Sequence, residues 1–365
     1  MHRTVHVLLL LGCTKAFAPA APRPHAPSLK AQWWDEDSTA SGDAKAAAAP
    51  TATGASHSIK AGDHLRLHYA LSTTSGKALD AAELTFDAGE VDLVVDRGGF
   101  LPALHQALNG AALTVGAPET LTLTKPFGER DAKLGPVTVP AASAPKGMKP
   151  GDLVGLSNGA RARVRSIIGD KVVIDANHVY AGQDLALTVT LKEPPNAREL
   201  HEATFAGGCF WGVELAYQRE PGVVCTQVGY AQGDDPAPTY EAVCAGVTGH
   251  TEAVRVRYDP KIVTYERMCE LLLDRLGENR YALNRVGGDQ GTQYRHGLYY
   301  ADGAQRRTAE AVLAREQQRD ADRPIATAVE EVAAYHPAEA YHQQYLEKGG
   351  QSAKKSDAAE IRCYG

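Results

Sequence analysis

The two halves of the chain differ in the spacing of their apolar residues. From Ile59 onward, apolar and polar residues alternate in "DHLRLHYAL", and further short apolar runs follow, separated by Gly, Asp, Asn and Pro. This period of two predicts short β-strands, and Ser75-Gly76 predicts a hairpin turn after the first strand. One stretch, "LPALHQALNGA", has leucines at helical spacing. We therefore predict a mostly β domain with one helix over residues 59–193.

The second half alternates between strand and helix patterns. It begins after "KEPPNARE", whose paired prolines we take as a linker over residues 194–199. Strands are predicted at "ELHEATFAGG", "TEAVRVRYDP" and "RHGLYYA", and helices at "CFWGVELAYQRE", "YERMCELLLDRL" and "GAQRRTAEAVLAREQQRD". This order predicts an α+β domain over residues 200–365, with helices packed against a mixed sheet.

The first 58 residues have the composition of a targeting leader and a linker. The apolar stretch from Val5 to Cys13 is too short to span a bilayer, and it follows a weakly basic start, as in signal peptides. Phe17 then opens a stretch rich in Ala, Pro and Ser, without an acidic residue before Asp35. This resembles the two-part plastid-targeting leaders of algae with complex plastids, and plain secretion is the alternative. Residues 35–58 are predicted to be a disordered linker.

Composition narrows the function classes. The formal net charge of the 365 residues is -6, so we expect no nucleic-acid partner, and we expect the mature form to be a monomer without a membrane partner. Six cysteines include no C-x-x-C pair, which disfavours a zinc ribbon or a small disulfide scaffold and favours free, reactive thiols. We also predict no bound cofactor and no metal site.

Several stretches of the first domain carry a resemblance to a known family. "GGFLPALHQALNG", "PFGE" and "DANHVYAGQDL" resemble the FKBP-type peptidyl-prolyl isomerases, and most closely their SlyD-like subgroup with an inserted flap domain. The resemblance covers about residues 59–193 and implies a pocket for a proline-containing segment, lined by residues at matching positions: Tyr69, Asp80, Phe100, Leu101 and Phe127.

The match departs from the family at two pocket positions. Leu104 and Leu187 stand where the family carries aromatic residues, which weakens the expectation of isomerase activity. Isomerisation needs a dry pocket that lowers a barrier of about 18–20 kcal/mol. Two alternatives therefore stay open, an active isomerase and a fold retained for client binding. We interpret His178 as a structural hydrogen-bonding residue rather than a metal ligand.

In the second domain, a cysteine follows two glycines at the predicted start of a helix. Helix N-terminal amides stabilise a thiolate, so we expect the pKa of Cys209 to be lowered. The preceding glycines permit a tight turn and close approach of a substrate. Phe210 and Trp211 would form an apolar wall beside this nucleophile, suited to a group about the size of a methyl.

These residues belong to a longer pattern. Gly208-Cys209-Phe210-Trp211-Gly212, "GHTEAVRVRYDP", "GGDQGTQYRHGLYY", "AYHQQYLEKGG" and "IRCYG" resemble the A-class peptide-methionine (S)-S-oxide reductases over about residues 200–365. The resemblance implies a ferredoxin-like core and a reaction on methionine S-sulfoxide, free or in proteins and peptides. It also implies thioredoxin as the reductant, although "LGENRYALNRVGG" departs from the family near the substrate entrance.

The resemblance also implies a role for each matching residue. Cys209 attacks the sulfoxide sulfur, and Glu252, with a pKa raised by burial, protonates the oxygen. Phe210 and Trp211 hold the methyl group, and Asp289 orders the site. Tyr240 and Tyr294 form hydrogen bonds to the sulfoxide oxygen or to Glu252.

The sulfenic acid formed on Cys209 requires a second thiol to convert it to a disulfide. Cys363 in the C-terminal tail is the predicted resolving cysteine. Cys225, Cys244 and Cys269 are interpreted as small buried residues, with a disulfide-relay role left open for Cys244. The rival hypothesis for the whole chain is a chaperone or prolyl isomerase with a vestigial reductase domain.

Overall fold

The structure, a computed structural model, describes residues 54–80, 84–86, 89–97, 101–144, 147–155 and 161–363. The predicted leader, the predicted linker up to residue 53 and Phe100 lie outside the described residues. The end of the linker prediction is wrong, because Ser56–Ser58 forms a paired strand rather than a disordered segment. Within the described ranges, no helix is long and apolar enough to cross a membrane.

The first part of the fold is built on a four-stranded antiparallel sheet. Its elements before the insertion are β1 (Ser56–Ser58), β2 (His64–Thr73), β3 (Gly89–Val94), α1 (Pro102–Leu108), β4 (Ala112–Thr114) and β5 (Pro118–Leu123). Strands β6 to β9 are Val137–Pro140, Leu153–Gly155, Arg161–Ile168 and Lys171–Asp175, and β10 is Leu185–Leu191. The order is β3-β2-β10-β5, and β1 pairs separately with β4.

Alternation along the strands explains which face is buried. In β2 the side chains of Leu65, Leu67 and Tyr69 are buried on one face, as the period of two requires. Leu104 and Leu108 of α1 are fully buried in the same core cluster. The predicted strand and helix are confirmed.

The hairpin predicted at Ser75-Gly76 is only partly correct. The chain does turn there, with the Thr73 N–H donating to the Lys77 carbonyl at 2.8 Å. The returning segment forms only an isolated bridge between Ser72 and Ala78 instead of a second strand. On one edge β2 is paired with β10 as far as Thr73, and on the other it is paired with β3 only as far as Tyr69. The returning segment therefore has only residues 70–73 of β2 beside it.

A second small sheet is inserted between β5 and β10. Its order is β6-β9-β8-β7, and its own core cluster contains Ala162, Val164, Val172 and Ile174. The side chain of Asp175, at the end of β9, is buried and accepts hydrogen bonds from Arg165 at 2.8 Å and Arg130 at 2.5 Å.

The second part contains a six-stranded mixed sheet. The strands of the second part, including two outside that sheet, are β11 (His201–Gly207), β12 (Val223–Ala231), β13 (Thr251–Tyr258), β14 (Arg285–Val286), β15 (Asp289–Gln290), β16 (His296–Tyr300), β17 (Ala328–Glu331) and β18 (Tyr335–Pro337). Its helices are α2 (Phe210–Arg219), α3 (Tyr240–Cys244), α4 (Tyr265–Leu276), α5 (Gly303–Gln317) and α6 (Tyr345–Lys348). These bounds confirm the three strands and three helices predicted for this half.

The order of this sheet is β17-β16-β11-β13-β12-β18, in which only β16 and β17 are parallel neighbours. Its four central strands, with α2 and α4 as connections, form the βαββαβ arrangement of a ferredoxin-like core. Strands β14 and β15 make a separate small hairpin. The N-terminus of α2 lies directly after β11, so the sheet fixes the position of that helix.

Between the two parts, the chain turns at the paired prolines after β10. The guanidinium of Arg198 forms ion pairs with Asp259 at 3.1 Å and with Glu193 at 2.7 Å, and lies 4.0 Å from Asp92. Arg198 thus connects the second part to a strand of the first.

Candidate active site

The turn between β11 and α2 requires both of its glycines. Gly208 has a φ of +76°, and a Cβ at this position would lie 2.6 Å from the Cβ of Val286. A Cβ on Gly207 would lie 2.7 Å from a methyl carbon of Leu272. The turn places Cys209 at the N-cap position of α2, as the sequence predicts.

Glu252 projects from β13 to the same helix start. Its side chain is 2% exposed, and its Oε2 accepts a hydrogen bond from the Phe210 N–H at 2.9 Å. Burial raises the pKa of Glu252 to about 8, and the negative charge of Asp289 adds to this effect. The carboxyl group is therefore protonated at neutral pH, in agreement with the sequence prediction.

The ionisation of Cys209 differs from the prediction. Its hydrogen bond to Cys363 and its burial raise the pKa of Cys209 well above its ordinary value. The Trp211 N–H at the helix start has the predicted lowering effect, but it is the smaller contribution. The prediction of a lowered pKa at Cys209 is therefore wrong for this arrangement of the two thiols.

Cys363 carries the lowered pKa instead. The hydrogen bond from Cys209 and the guanidinium of Arg275 lower the pKa of Cys363 to about 7, although burial opposes them. The Nη2 of Arg275 lies 3.3 Å from the Cys363 Sγ. The structure thus brings the predicted resolving cysteine to the predicted nucleophile.

The two aromatic residues after Cys209 occupy different environments. The ring of Phe210 is 1% exposed and packs near Tyr230 and His342 in the core. Trp211 is half-buried, and its ring stacks on Tyr345 with 3.9 Å between centroids. Of the two, only Trp211 is partly open to solvent beside the thiol.

Three further predicted residues, Tyr240, Tyr294 and Asp289, lie close enough to Glu252 for the charge of one group to shift the pKa of another. Burial raises the pKa of both tyrosine hydroxyls, and Glu252 contributes to the shift in each. Asp289 in β15 has its own pKa raised by burial, and it acts on Glu252 and Cys363. The predicted residues of this site therefore come from the start of α2, from α3, β13 and β15, from the short turn Thr292–Tyr294 and from the tail.

Four further residues of the site were not singled out from the sequence. Glu339 accepts from the Tyr230 hydroxyl at 2.7 Å and from the Tyr240 N–H at 3.0 Å. His342 lies among the rings of Phe210, Trp211 and Tyr240. These two and Tyr345 lie in or beside the "AYHQQYLEKGG" stretch, so the sequence offered a signal for them. Arg275 is one of many arginines, and nothing in the sequence distinguishes it.

The remaining cysteines divide into two kinds. Cys225 and Cys269 are buried as predicted, and burial raises the pKa of Cys225 to about 11 and that of Cys269 to about 12. Cys244 is only half-buried, so its interpretation as a buried residue is wrong. It lies at the end of α3, where its sulfur shares a hydrogen bond with the Tyr240 hydroxyl.

In the first part, two of the four matched pocket residues that the structure describes are core residues. Tyr69 and Leu101 are buried, and Leu104 and Leu187 are fully enclosed in the same cluster.

Phe127 packs against this same core cluster and also belongs to an aromatic group with His178 and Tyr180. Its ring stacks on His178 at 3.7 Å and lies 6.1 Å from that of Tyr180. The Tyr180 N–H lies 3.3 Å from Nδ1 of His178, consistent with a hydrogen-bonding role, and burial lowers the pKa of His178 to about 4. Asp80 is exposed, and its N–H donates to the Tyr180 hydroxyl at 3.0 Å. Across the residues that the structure describes, no group of three His, Cys, Asp or Glu side chains is placed to hold a metal ion.

Comparison with known proteins assigns the second part. The sequence model of the family described as Peptide methionine sulfoxide reductase matches residues 201–362. A rice protein, "Peptide methionine sulfoxide reductase A2-1", is 52% identical over 166 residues, which are 46% of this chain and 87% of that protein. The Arabidopsis thaliana protein "Peptide methionine sulfoxide reductase A4, chloroplastic" is 49% identical over 45% of this chain and 64% of its own length.

Solved structures match the same share of the chain. The reduced form of Mxr1 from Saccharomyces cerevisiae is 33% identical and covers 42% of this chain and 87% of that chain, with a TM-score of 0.38.

Proposed function

The chain belongs to the peptide methionine sulfoxide reductase family, and from this premise we propose that it reduces the S epimer of methionine sulfoxide, free or in proteins. The family assigns methionine sulfoxide reduction to the second part. The observation that carries the finer proposal is that Cys209 and a buried, protonated Glu252 both lie at the start of α2, where Glu252 accepts from the Phe210 N–H.

Each group has one task in the proposed reaction. The sulfur of Cys209 attacks the sulfoxide sulfur while Glu252 gives its proton to the oxygen. The oxygen passes to Cys209 as a hydroxyl and methionine leaves, while the thiol proton of Cys209 replaces the one that Glu252 gave. The products are methionine and a sulfenic acid on Cys209, so no other reactant is consumed.

Recycling of the enzyme uses Cys363 and an external dithiol. Cys363 condenses with the sulfenic acid to form a disulfide with release of water, and thioredoxin reduces that disulfide to two thiols. The contact between Cys209 and Cys363 supports this assignment.

The test compares turnover of the mature chain with two reductants. Cys209→Ser should lose activity with both thioredoxin and dithiothreitol. Cys363→Ser should lose turnover with thioredoxin and keep it with dithiothreitol, which reduces a sulfenic acid directly. Cys225→Ala, a buried cysteine away from the site, is the control and should match wild type. Full activity of Cys209→Ser would reject the proposal.

For the first part, we propose a client-binding role with an FKBP/SlyD-like fold rather than full isomerase activity. The inserted sheet exposes three large apolar side chains, Leu153 at 42%, Ile167 at 38% and Ile168 at 70%. Such a surface suits unfolded segments, which oxidised methionine tends to create by disrupting apolar cores. The closely grouped reductase residues argue against a chaperone with a vestigial reductase.

We propose a plastid location on the basis of the leader composition, supported by the relative that is named chloroplastic. A fluorescent protein fused to residues 1–58 should enter the plastid. Secretion of this fusion would favour the alternative, in which the leader is a plain signal peptide.

A further inference from the structure

The C-terminal tail is fastened across helix α2 by side chains of that helix and of the tail. Arg219 donates through Nε to the Ser352 carbonyl at 2.8 Å and through Nη1 to the Ala359 carbonyl at 2.6 Å. Lys355 reaches back to the carbonyls of Gln218 at 2.6 Å and Val223 at 2.8 Å. The path of the tail is therefore set by hydrogen bonds on both sides of residue 356.

A second clamp lies immediately before Cys363. The side-chain amide of Gln351 donates to the Arg362 carbonyl at 2.7 Å, and its oxygen accepts from the Arg362 N–H at 3.1 Å. Gln351 is itself buried. Both backbone groups of Arg362 are thus satisfied by one side chain, which fixes the position from which Cys363 projects.

The sulfur of Cys363 packs against α2 at Gly212, where the helix has no side chain. A Cβ on Gly212 would overlap with the Cys363 Sγ and with the Nη2 of Arg275, so both groups occupy the space that the missing side chain leaves. Arg275 comes from the last turn of α4 and donates to the same sulfur at 3.3 Å. The guanidinium and the thiol therefore meet at one point beside Cys209.

We propose that Arg275 is a positioning residue for the resolving step, holding the Cys363 sulfur as a thiolate over Gly212 and beside Cys209. The inference rests on the proposed function of Cys209 and Cys363. In that step the Cys363 sulfur attacks the Cys209 sulfenic sulfur, the S–S bond forms and the S–O bond breaks. Hydroxide leaves and takes up a proton to become water, the Cys209 sulfur is reduced and the Cys363 sulfur is oxidised.

Arg275 matters most after the first half of the reaction. Before it, the Cys209 thiol also donates a hydrogen bond to Cys363. That thiol hydrogen is gone once the sulfenic acid has formed. The guanidinium remains, because arginine does not lose its charge in this pH range. It is therefore the group that keeps Cys363 ionised when the disulfide forms.

The experiment measures disulfide formation in the full chain after one turnover without reductant. Arg275→Met keeps the length of the side chain and removes the charge, and Arg275→Lys keeps a charge. The control is Arg267→Met, on the same helix, whose guanidinium pairs with Glu220 and Asp274 instead. Quenched samples are analysed by mass spectrometry for the disulfide and for sulfenic acid trapped on Cys209 by dimedone.

Disulfide formation is expressed per methionine released, and we expect Arg267→Met to match wild type in both. An opposite charge this close shifts a thiol pKa by about one unit or more, so at pH 7 Arg275→Met should form the disulfide about tenfold more slowly. Trapped sulfenic acid should rise, the deficit should vanish near pH 9, and Arg275→Lys should recover part of the rate.

Two results have distinct meanings. A disulfide rate in Arg275→Met with the wild-type value and pH profile would overturn the role of Arg275 and leave the reductase intact. Absence of methionine from wild type would instead overturn the proposed function on which this inference rests.

Discussion

At the scale of single residues, the site depends on opposite pKa shifts of a carboxyl group and a thiol. The carboxyl of Glu252 is buried and holds its proton to about pH 8, whereas the pKa of the Cys363 thiol is lowered to about 7. A donor and a thiolate therefore coexist near neutral pH within one small group of side chains. This arrangement follows from burial on one side and a guanidinium on the other.

Replacing Glu252 by Gln should remove the proton donor while leaving the fold nearly unchanged in shape. General acid catalysis contributes about 10²- to 10⁴-fold, so the single-turnover rate of methionine formation should fall by that order. In wild type the rate should also fall as pH rises through about 8, because Glu252 then loses its proton. That alkaline decline should be absent in Glu252→Gln.

Glu241→Gln is the matched control for this measurement. Glu241 is an exposed carboxylate on α3, and its replacement should leave both the rate and the alkaline decline in place. A wild-type rate in Glu252→Gln would contradict the role of the carboxyl.

At the scale of elements, α2 is the organising unit of the site. Its N-terminus presents Cys209, its first turn leaves open space at Gly212, and Arg219 near its end holds the tail. A glycine inside a helix costs about 0.5–1 kcal/mol relative to alanine. The space that Gly212 leaves for Cys363 and Arg275 offers a functional reason for this cost.

Gly212→Ala should therefore separate stability from function. The helix should be equally stable or more stable, as urea unfolding can measure, yet the new Cβ would displace the Cys363 sulfur. Turnover with thioredoxin should fall at least about tenfold, as expected for a misplaced reacting group, while turnover with dithiothreitol stays near wild type.

Gly303→Ala at the start of α5 is the control, since its Cβ would meet only an Arg307 nitrogen at 3.4 Å. Unchanged thioredoxin-dependent turnover in Gly212→Ala would show that Cys363 does not need this space.

At the scale of the whole molecule, local patterns predicted more than long-range ones. The strands and helices of the second part, and the motif around Cys209, follow from short periodic stretches and were predictable. Other features depend on how α4, α2 and the C-terminal segment pack. These are the path of the tail, the contact of Arg275 with Cys363, and the fact that Phe210 is buried whereas Trp211 is partly exposed. The lowered pKa expected at Cys209 failed for the same reason, since its neighbour is 154 residues away in the sequence.

If the first part holds clients for the second, the connection should affect large substrates only. Ile168→Lys places a charge on the exposed apolar surface of the inserted sheet. We expect the KM for an oxidised, unfolded protein such as casein to rise several-fold, because the local concentration of client falls. The KM for free methionine sulfoxide should not change.

Ile262→Lys, at an exposed apolar residue of the second part, is the control and should leave both KM values unchanged. Equal KM values for casein in Ile168→Lys and wild type would count against client binding through this surface.

The central claim is that Cys209 and Glu252 form a site for one epimer of methionine sulfoxide. The most direct measurement gives the mature chain and its Cys209→Ser variant a mixture of R and S sulfoxides without reductant, and resolves the remaining sulfoxides chirally. We predict one methionine per wild-type chain, drawn only from the S epimer, and none from the variant. Consumption of the R epimer, or equal methionine from the variant, would contradict the claim.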